Sequence, residues 1–447
     1  MVDRLAQDLK AWGETVGVAG GSNNWVIGAS RTAAGRPIIA GDPHLPPHLP
    51  PAWYLAHIRT PDWSVAGGTF MGTPGFAIGH NAFAAWAPTA GLVDNTDLYI
   101  EEVGPDGRSV REDGAFVACQ VRREIIRVRW RGDVEEDVLV TPRGPVIGPA
   151  LDHDLGAISI RGTWLDPRPI KGLMEVHRAR SFEEFRRAFH EWPLMSLNML
   201  YADESGTLGW QLVGETPRRL TGWDTMPRAG SDPDAGWLNG VARRIVAAKA
   251  PNAFAWALGA GFTALMSTSL LAERRTGHLV RLIREQPEGW FPDGWADMIS
   301  DCLSTAVRGL REERGPQHRK WAWGDVRPLT LKHPMGRNRL LARVFNIDPF
   351  PWGGDTTTIG HAKPDPREPT ANPLVIASMR MVLDVGAWDE SRFSMPGGQS
   401  GNPFSPHYDD LLRLWRRGGG VPIVWSEDRI QEAAATTLRL LPEPPSE

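Results

Sequence analysis

Only two cysteines, Cys119 and Cys302, occur in 447 residues. They match no metal-ligand spacing and are too few for a disulfide framework, which leaves their pairing open. Neither sign of charge predominates: 49 Lys and Arg face 53 Asp and Glu, without a long basic or acidic block. That balance argues against nucleic acid or an anionic membrane as the main partner. No apolar run reaches the ~18 residues of a membrane-spanning helix. The opening stretch "MVDRLAQDLKAWGETVGVAGG" scatters charges and lacks the apolar centre of a secretory signal. P-loop, G-x-G-x-x-G, H-E-x-x-H and C-x-x-C patterns are missing, so phosphate, dinucleotide and common zinc chemistries lose their support, and no organic cofactor is expected. G-x-S-x-G is missing too, which disfavours the α/β-hydrolase nucleophile elbow.

What the chain has in abundance is tryptophan, glycine and proline: 20, 48 and 38, beside only 4 tyrosines. Tryptophan gathers in cores, clefts and interfaces, and core packing is the more economical reading than a carbohydrate surface. Much of the first 250 residues reads as strands and turns. "NNWVIGAS" and "RPIIAGD" are short apolar runs around a turn at "AAGR". "REIIRVRWRGDVEEDVLVTPRGPVIG" alternates as a hairpin about "RGD". "LGAISIRGTW" and "LNMLYADESGTLGWQLVG" continue the pattern, the second turning at "DESG". Helices punctuate: "SFEEFRRAFHEW" opens with a capping box, "AERRTGHLVRLIREQ" and "HPMGRNRLLARVFN" carry helical spacing, and "SPHYDDLLRLWRRGG" ends at glycine. Hairpins with segregated helices indicate an α+β class, two packed antiparallel sheets with helices outside.

The chemistry rests on small motifs: "GGSNNW" at 20–25, "GDPHL" at 41–45, "GTPGFAIGHN" at 72–81, "APTAGLVDNTDLY" at 87–99, "NMLYADESGTLGW" at 198–210 and "GGQSGNPFSPHYDD" at 397–410. Singly, each reads as readily as a turn, a loop histidine or a solvated acidic loop. Taken in order, they resemble the penicillin acylase (penicillin amidase) family of N-terminal nucleophile hydrolases. The likeness runs from Gly21 to about Gly418 and is mainly to the family's β-subunit portion.

The resemblance implies a four-layer αββα sandwich and an amidohydrolase that cleaves a linear non-peptide amide in a small N-acyl substrate. Penicillin, cephalosporin and acyl-homoserine lactone side chains are the types it suggests. It makes Gly21–Ser22 the self-cleaved bond and Ser22 the nucleophile, with its freed α-amine as base. A serine hydroxyl needs such a proton acceptor, and an α-amine titrates near pKa ~7.7–8.0. The Ala90 backbone N–H becomes an oxyanion donor, and the His44 side chain touches and orients the nucleophile. Asn23, His80 and Asn81 take supporting places. The family's second oxyanion donor is an asparagine, whereas "GFTALMSTS" (261–269) offers Ser267 or Thr268, with Asn252 not far upstream. In some members the "VDNTD" segment holds calcium, which extends that expectation to Asp94 and Asp97 carboxylates and the Thr96 carbonyl. Phe70, Met71, Phe76 and Trp86, close to Ala90 in sequence, are the expected acyl pocket.

The expected organisation is a residual spacer over 1–21, the hydrolase domain over 22–440 and a disordered tail over 441–447. Family precursors carry a long α-segment before the nucleophile, where this chain has 21 residues. A truncated start, a separate α-subunit-like chain and a degenerate fragment all remain open. The resemblance implies a periplasmic or secreted setting, for which residues 1–21 supply no signal. A relative that binds an acyl or aromatic ligand without turnover is the competing reading. A Trp-rich carbohydrate-active protein is a weaker one, since no carboxylate pair is identifiable.

Overall fold

The structure is a computed structural model and describes residues 22–73, 75–147, 157–221, 227–243, 284–286, 294–354, 360–364 and 370–439. Gly21 with the rest of 1–21, the segment holding Asn252, Ser267 and Thr268, most of the helix expected over 272–286, and the tail at 441–447 lie outside the described residues.

Alternation organises the start. Strands β1 (Ser22–Ile27) and β2 (Ile38–Leu45) pair antiparallel from Ser22↔Pro43 to Ile27↔Ile38. Strand β2 then continues a seven-stranded sheet through Val375–Ala377 on one stretch and Arg380–Asp384 on another. β1 lies at its edge, pairing only with β2 among the described strands. A six-stranded sheet follows: β3 (Trp53–Arg59), β4 (Ser64–Phe70), β5 (Ile78–His80) and β6 (Ala84–Ala90), extended by Leu197–Asp203 and Leu208–Val213.

The inner faces of these two sheets share one core. Val26, Ile39, Met381 and Leu383 from the first meet Ala66, Ile78, Ala85, Ala87 and Leu200 from the second. Period-two alternation sends the intervening residues of each strand to the opposite face. The sheets approach closely at Gly41, where a Cβ would lie 2.7 Å from Ile78 Cδ1 and 3.2 Å from Ala87 Cβ. Glycine there permits a separation that no side chain would. The outer face of the second sheet is covered by the Phe182–Ala188 helix and the Glu175–Arg178 turn, through Phe182, Phe185, Val176, Trp86 and Phe76. On the first sheet, the Leu412–Arg416 helix brings Leu412 and Trp415 against Ile376 and Ala377. The result is an α+β sandwich of two antiparallel sheets between short helices.

A third sheet of six strands is built around β7 (Thr96–Glu101), with Ala157–Gly162 antiparallel and Arg228–Ala229 parallel to it. It includes the "RGD" hairpin, paired from Gln120↔Val140 to Ile126↔Val134. Next to it is a ribbon of Glu215–Arg219 and Trp237–Arg243.

Helix signals translate with one shift. Ser181 caps Phe182–Ala188 by accepting from the Glu184 N–H, but the Glu184 carboxylate reaches back to the Arg180 N–H instead of that of Ser181. Both cysteines are free thiols. Among the described tryptophans, Trp53, Trp86, Trp192, Trp388 and Trp415 are buried in the core, while Trp130 at the tip of the "RGD" hairpin is exposed.

Candidate active site

Ser22 opens β1 opposite Pro43. Proline has no N–H to offer its strand partner, so the next donor along β2 is the one available. The His44 backbone N–H donates to Ser22 Oγ at 3.3 Å. The Pro43 carbonyl is held in turn by the N–H (2.8 Å) and the hydroxyl (2.6 Å) of Ser378. Ser22, Asn24 and Val26 share a face by alternation, and Asn24 and Val26 are buried toward the second sheet.

Asn24 ties the two sheets together. Its side-chain amide donates to the carbonyls of Ala87 (2.8 Å) and Asn198 (3.1 Å). Asn198, itself buried, donates to the Ala90 carbonyl at 3.2 Å and accepts from Trp210 Nε1 at 3.2 Å. Two long-range clamps therefore bring the start of β1 and the end of β6 together. Asn198 carried no sequence signal beyond its place beside "MLYAD".

Ladder geometry sets the direction of the Ala90 N–H. Gly91 N–H bonds to Ser196 O at 2.7 Å, whereas the Ala84 carbonyl accepts from Asn81 N–H at 3.1 Å on the β5 side. Antiparallel rungs alternate, so odd residues of β6 bond toward Leu197–Asp203 and even ones toward β5. Ala90 is even. β5 faces β6 at Gly79↔Trp86 and His80↔Ala85 and starts at Ile78, so it does not extend opposite Ala90. The Ala90 N–H thus points to the side where no β5 residue receives it.

His44 occupies a different position from the one expected. Its ring is buried, and Nε2 meets Asp42 Oδ2 at 3.1 Å and Asn23 Nδ2 at 3.3 Å. The ring stacks on His361 with centroids 3.8 Å apart and 14° between planes. Asp42 and His44, two apart on one strand, share a face with Asn23, opposite to that of Ser22. The hydrogen bond to Ser22 Oγ runs through the His44 backbone, and the side chain braces the back of the strand pair.

The expected acyl pocket divides. Phe76 and Trp86 are fully buried on the outer face of the second sheet, with Trp86 Nε1 donating to the Phe76 carbonyl at 3.0 Å. Alternation along β6 puts Trp86 behind the sheet, away from Ser22, and Phe76 packs there with it. Met71 is 54% exposed in a turn. Phe70 remains on the inner side, stacked on Trp53 at 4.1 Å. Trp53, which the sequence reading missed, donates through Nε1 to Ser378 Oγ at 2.8 Å, the same hydroxyl that donates to Pro43. Phe70 and Trp53 are thereby linked to the residue paired with Ser22.

His80 is fully buried and stacks on Trp388 at 4.3 Å and 5°. Burial, and then His57, push its pKa down to about 3. His177, packed among Trp63, Phe76 and Trp86, is lowered to about 4 by burial and Arg178. Both rings are neutral in the folded chain, whereas an unfolded histidine titrates near 6.5. The unfolded state then binds more protons below that value, so stability is full above about pH 6.5 and is lost as pH falls toward 4 and 3. Thermal melts across this window are expected to slope downward with acid, and His80→Asn is expected to flatten the slope. An unchanged slope in that variant would remove His80 from the account. Asn81 pins the neighbouring turn: Oδ1 accepts from the N–H of Phe83 (3.1 Å) and Ala84 (2.9 Å), and Nδ2 donates to Ala179 O at 2.8 Å.

The Asp94 and Asp97 carboxylates do not fit calcium. Asp97, 1% exposed, receives Arg219 Nη2 at 2.7 Å, Arg219 Nε at 3.0 Å and Trp237 Nε1. Asp94 Oδ1 lies 3.0 Å from the same Nη2. Calcium takes six to eight oxygens, yet both Asp97 oxygens face N–H donors, and a guanidinium stands between the two carboxylates. The Thr96 hydroxyl accepts from Trp164 Nε1 at 2.8 Å. Among the described residues no group of three or more His, Cys, Asp or Glu gathers as a metal site.

The family model described as penicillin amidase matches residues 2–264 and 242–432. The chain belongs to the penicillin amidase family. Among family relatives, the penicillin acylase 2 proenzyme of Pseudomonas sp. strain SE83 is 28% identical over 563 residues, covering 97% of this chain and 71% of that protein. The acyl-homoserine lactone acylase QuiP of Pseudomonas aeruginosa is 31% identical over 271 residues, covering 52% of this chain and 31% of that protein. The chain thus spans less than a third of the second relative's length. A thermostable penicillin G acylase from Alcaligenes faecalis superposes with a TM-score of 0.63 at 19% identity, covering 94% of this chain and 99% of that one. That likeness establishes the fold of the penicillin amidase family, the N-terminal nucleophile hydrolase sandwich.

Proposed function

We propose that this chain is an acylase that hydrolyses a linear N-acyl amide through Ser22 after the Gly21–Ser22 bond is cut. The observation that carries the reading is the Ser22 hydroxyl, held by the His44 N–H on the face of β1 that Asn24 clamps to the end of β6. With Ser22 as a new N-terminus, its α-amine, half-neutral near pH ~8, removes the hydroxyl proton as Oγ attacks the acyl carbonyl carbon. The carbonyl π pair moves onto oxygen, where the Ala90 N–H donates. Each well-placed donor of this kind is worth ~3–4 kcal/mol in the transition state. Collapse expels the amine, which takes the proton from the Ser22 ammonium, and leaves an acyl-serine ester. A water molecule, activated by the same amine, releases the acid and restores Oγ–H.

The Phe70–Trp53 pair supports an acyl group that is apolar and shape-selected. The relatives named as penicillin and acyl-homoserine lactone acylases make those two amide classes the first substrates to test. Intact mass and N-terminal sequencing decide the processing step. A chain beginning "SNNWVIG" is the expected product, and no such product with or without a supplied α-segment partner would overturn self-cleavage.

A further inference from the structure

Arg219 stands in a position that an ion-binding role for Asp94 and Asp97 would require to be empty. Its side chain is 9% exposed and its guanidinium reaches both carboxylates, with Nη2 at 2.7 Å from Asp97 Oδ1 and 3.0 Å from Asp94 Oδ1. Nε adds contacts to both Asp97 oxygens at 3.2 and 3.0 Å. A planar fork matched to a carboxylate is the strongest form of charged hydrogen bond in proteins. Trp237 Nε1 also donates to Asp97 Oδ2, and the Arg161 guanidinium lies 4.5 Å from the same indole ring.

We propose that Arg219 is a built-in cation, doing for this chain the work that a divalent ion would do between Asp94 and Asp97. The site takes no calcium while Arg219 is present, because the ion would have to enter beside a fixed like charge and strip N–H donors from both Asp97 oxygens. The structural task is specific. Asp97 sits on β7, whereas Arg219 ends the Glu215–Arg219 strand, whose ribbon partner begins at Trp237. The guanidinium therefore fastens the ribbon to the third sheet. It does so just after the chain leaves Ala90 for β7, so the fastening also fixes the exit of the segment that carries the candidate oxyanion donor. A permanent covalent cation makes this junction independent of metal supply.

Terbium(III) tests the point, because an ion at Asp97 would lie against an indole able to sensitise its emission. Titration of the full chain is expected to give no saturable, calcium-competed emission, and EGTA is expected to leave the melting temperature unchanged. Arg219→Ala is expected to melt several degrees lower, with Arg219→Lys recovering part of the loss. The proposal is overturned by saturable emission from the unaltered chain that Asp97→Asn abolishes. It is equally overturned by a lower melting temperature in EGTA, or by an Arg219→Ala variant that melts with the unaltered chain. Where Arg219→Ala fails to fold, the terbium and EGTA measurements on the unaltered chain decide alone. None of these readouts depends on Ser22 chemistry, so the two proposals fail separately.

Discussion

Ser22→Ala is expected to lower amide hydrolysis by about a thousandfold or more, while ligand binding persists. The hydroxyl is lost directly, and with self-cleavage blocked the α-amine is not freed to act as base. Alanine retains the β1–β2 register from Ser22↔Pro43 onward and leaves the Asn24 bonds to Ala87 and Asn198 in place. A structural role for Ser22 would appear instead as a lower melting temperature with proportionate loss of activity. The decisive comparison is single-turnover hydrolysis of an N-acyl substrate beside a thermal melt of the same preparation. Activity within tenfold of the unaltered chain would remove Ser22 as nucleophile, whatever the processing state.

Trp86→Ala separates packing from recognition. The indole is 1% exposed, wedged between the second sheet and the helical layer with Phe76, His177 and Phe185, and its Nε1 bonds the Phe76 carbonyl. Truncating a buried tryptophan costs about 3–5 kcal/mol through lost burial and the cavity left behind. Denaturant unfolding should show that loss, and KM for an N-acyl substrate should hold, because the ring faces away from Ser22. Phe70→Ala, on the inner face against Trp53, should do the reverse: a modest loss of stability and a raised KM. Should KM follow Trp86 and ignore Phe70, the acyl group would lie on the other side of the sheet.

The contrast shows where sequence reading succeeds and where it stops. Short-range signals translate well: "NNWVIGAS" and "RPIIAGD" become β1 and β2, and the alternating runs around "RGD" pair residue for residue. Ser22, Asn24 and Ala90 lie within recognisable motifs, so their order was legible. The face each side chain takes was not. Closeness to Ala90 along the chain suggests a pocket role for Phe76 and Trp86, but Ala90 offers a backbone N–H in the plane of the sheet, which is blind to faces, and along β6 Ala85 and Ala87 turn inward while Trp86 turns outward to meet Phe76. Long-range partners were illegible for a different reason. Arg219 is 122 residues from Asp97, and Asn198 is 174 from Asn24. No local propensity marks such pairs, which depend on how the sheets come together. "VDNTD" read as a cation site because the sequence cannot show that the cation is already an arginine.

β1 behaves mechanically as a cantilever. The supports described for it begin at the tip and run inward: the ladder to β2 from Ser22↔Pro43, the His44 N–H on the Ser22 hydroxyl, and the Asn24 amide anchored in the facing sheet. None of these attachments runs through the covalent bond before Ser22. Severing that bond would leave the tip seated, and the hydroxyl would keep its aim through the change from interior residue to chain end.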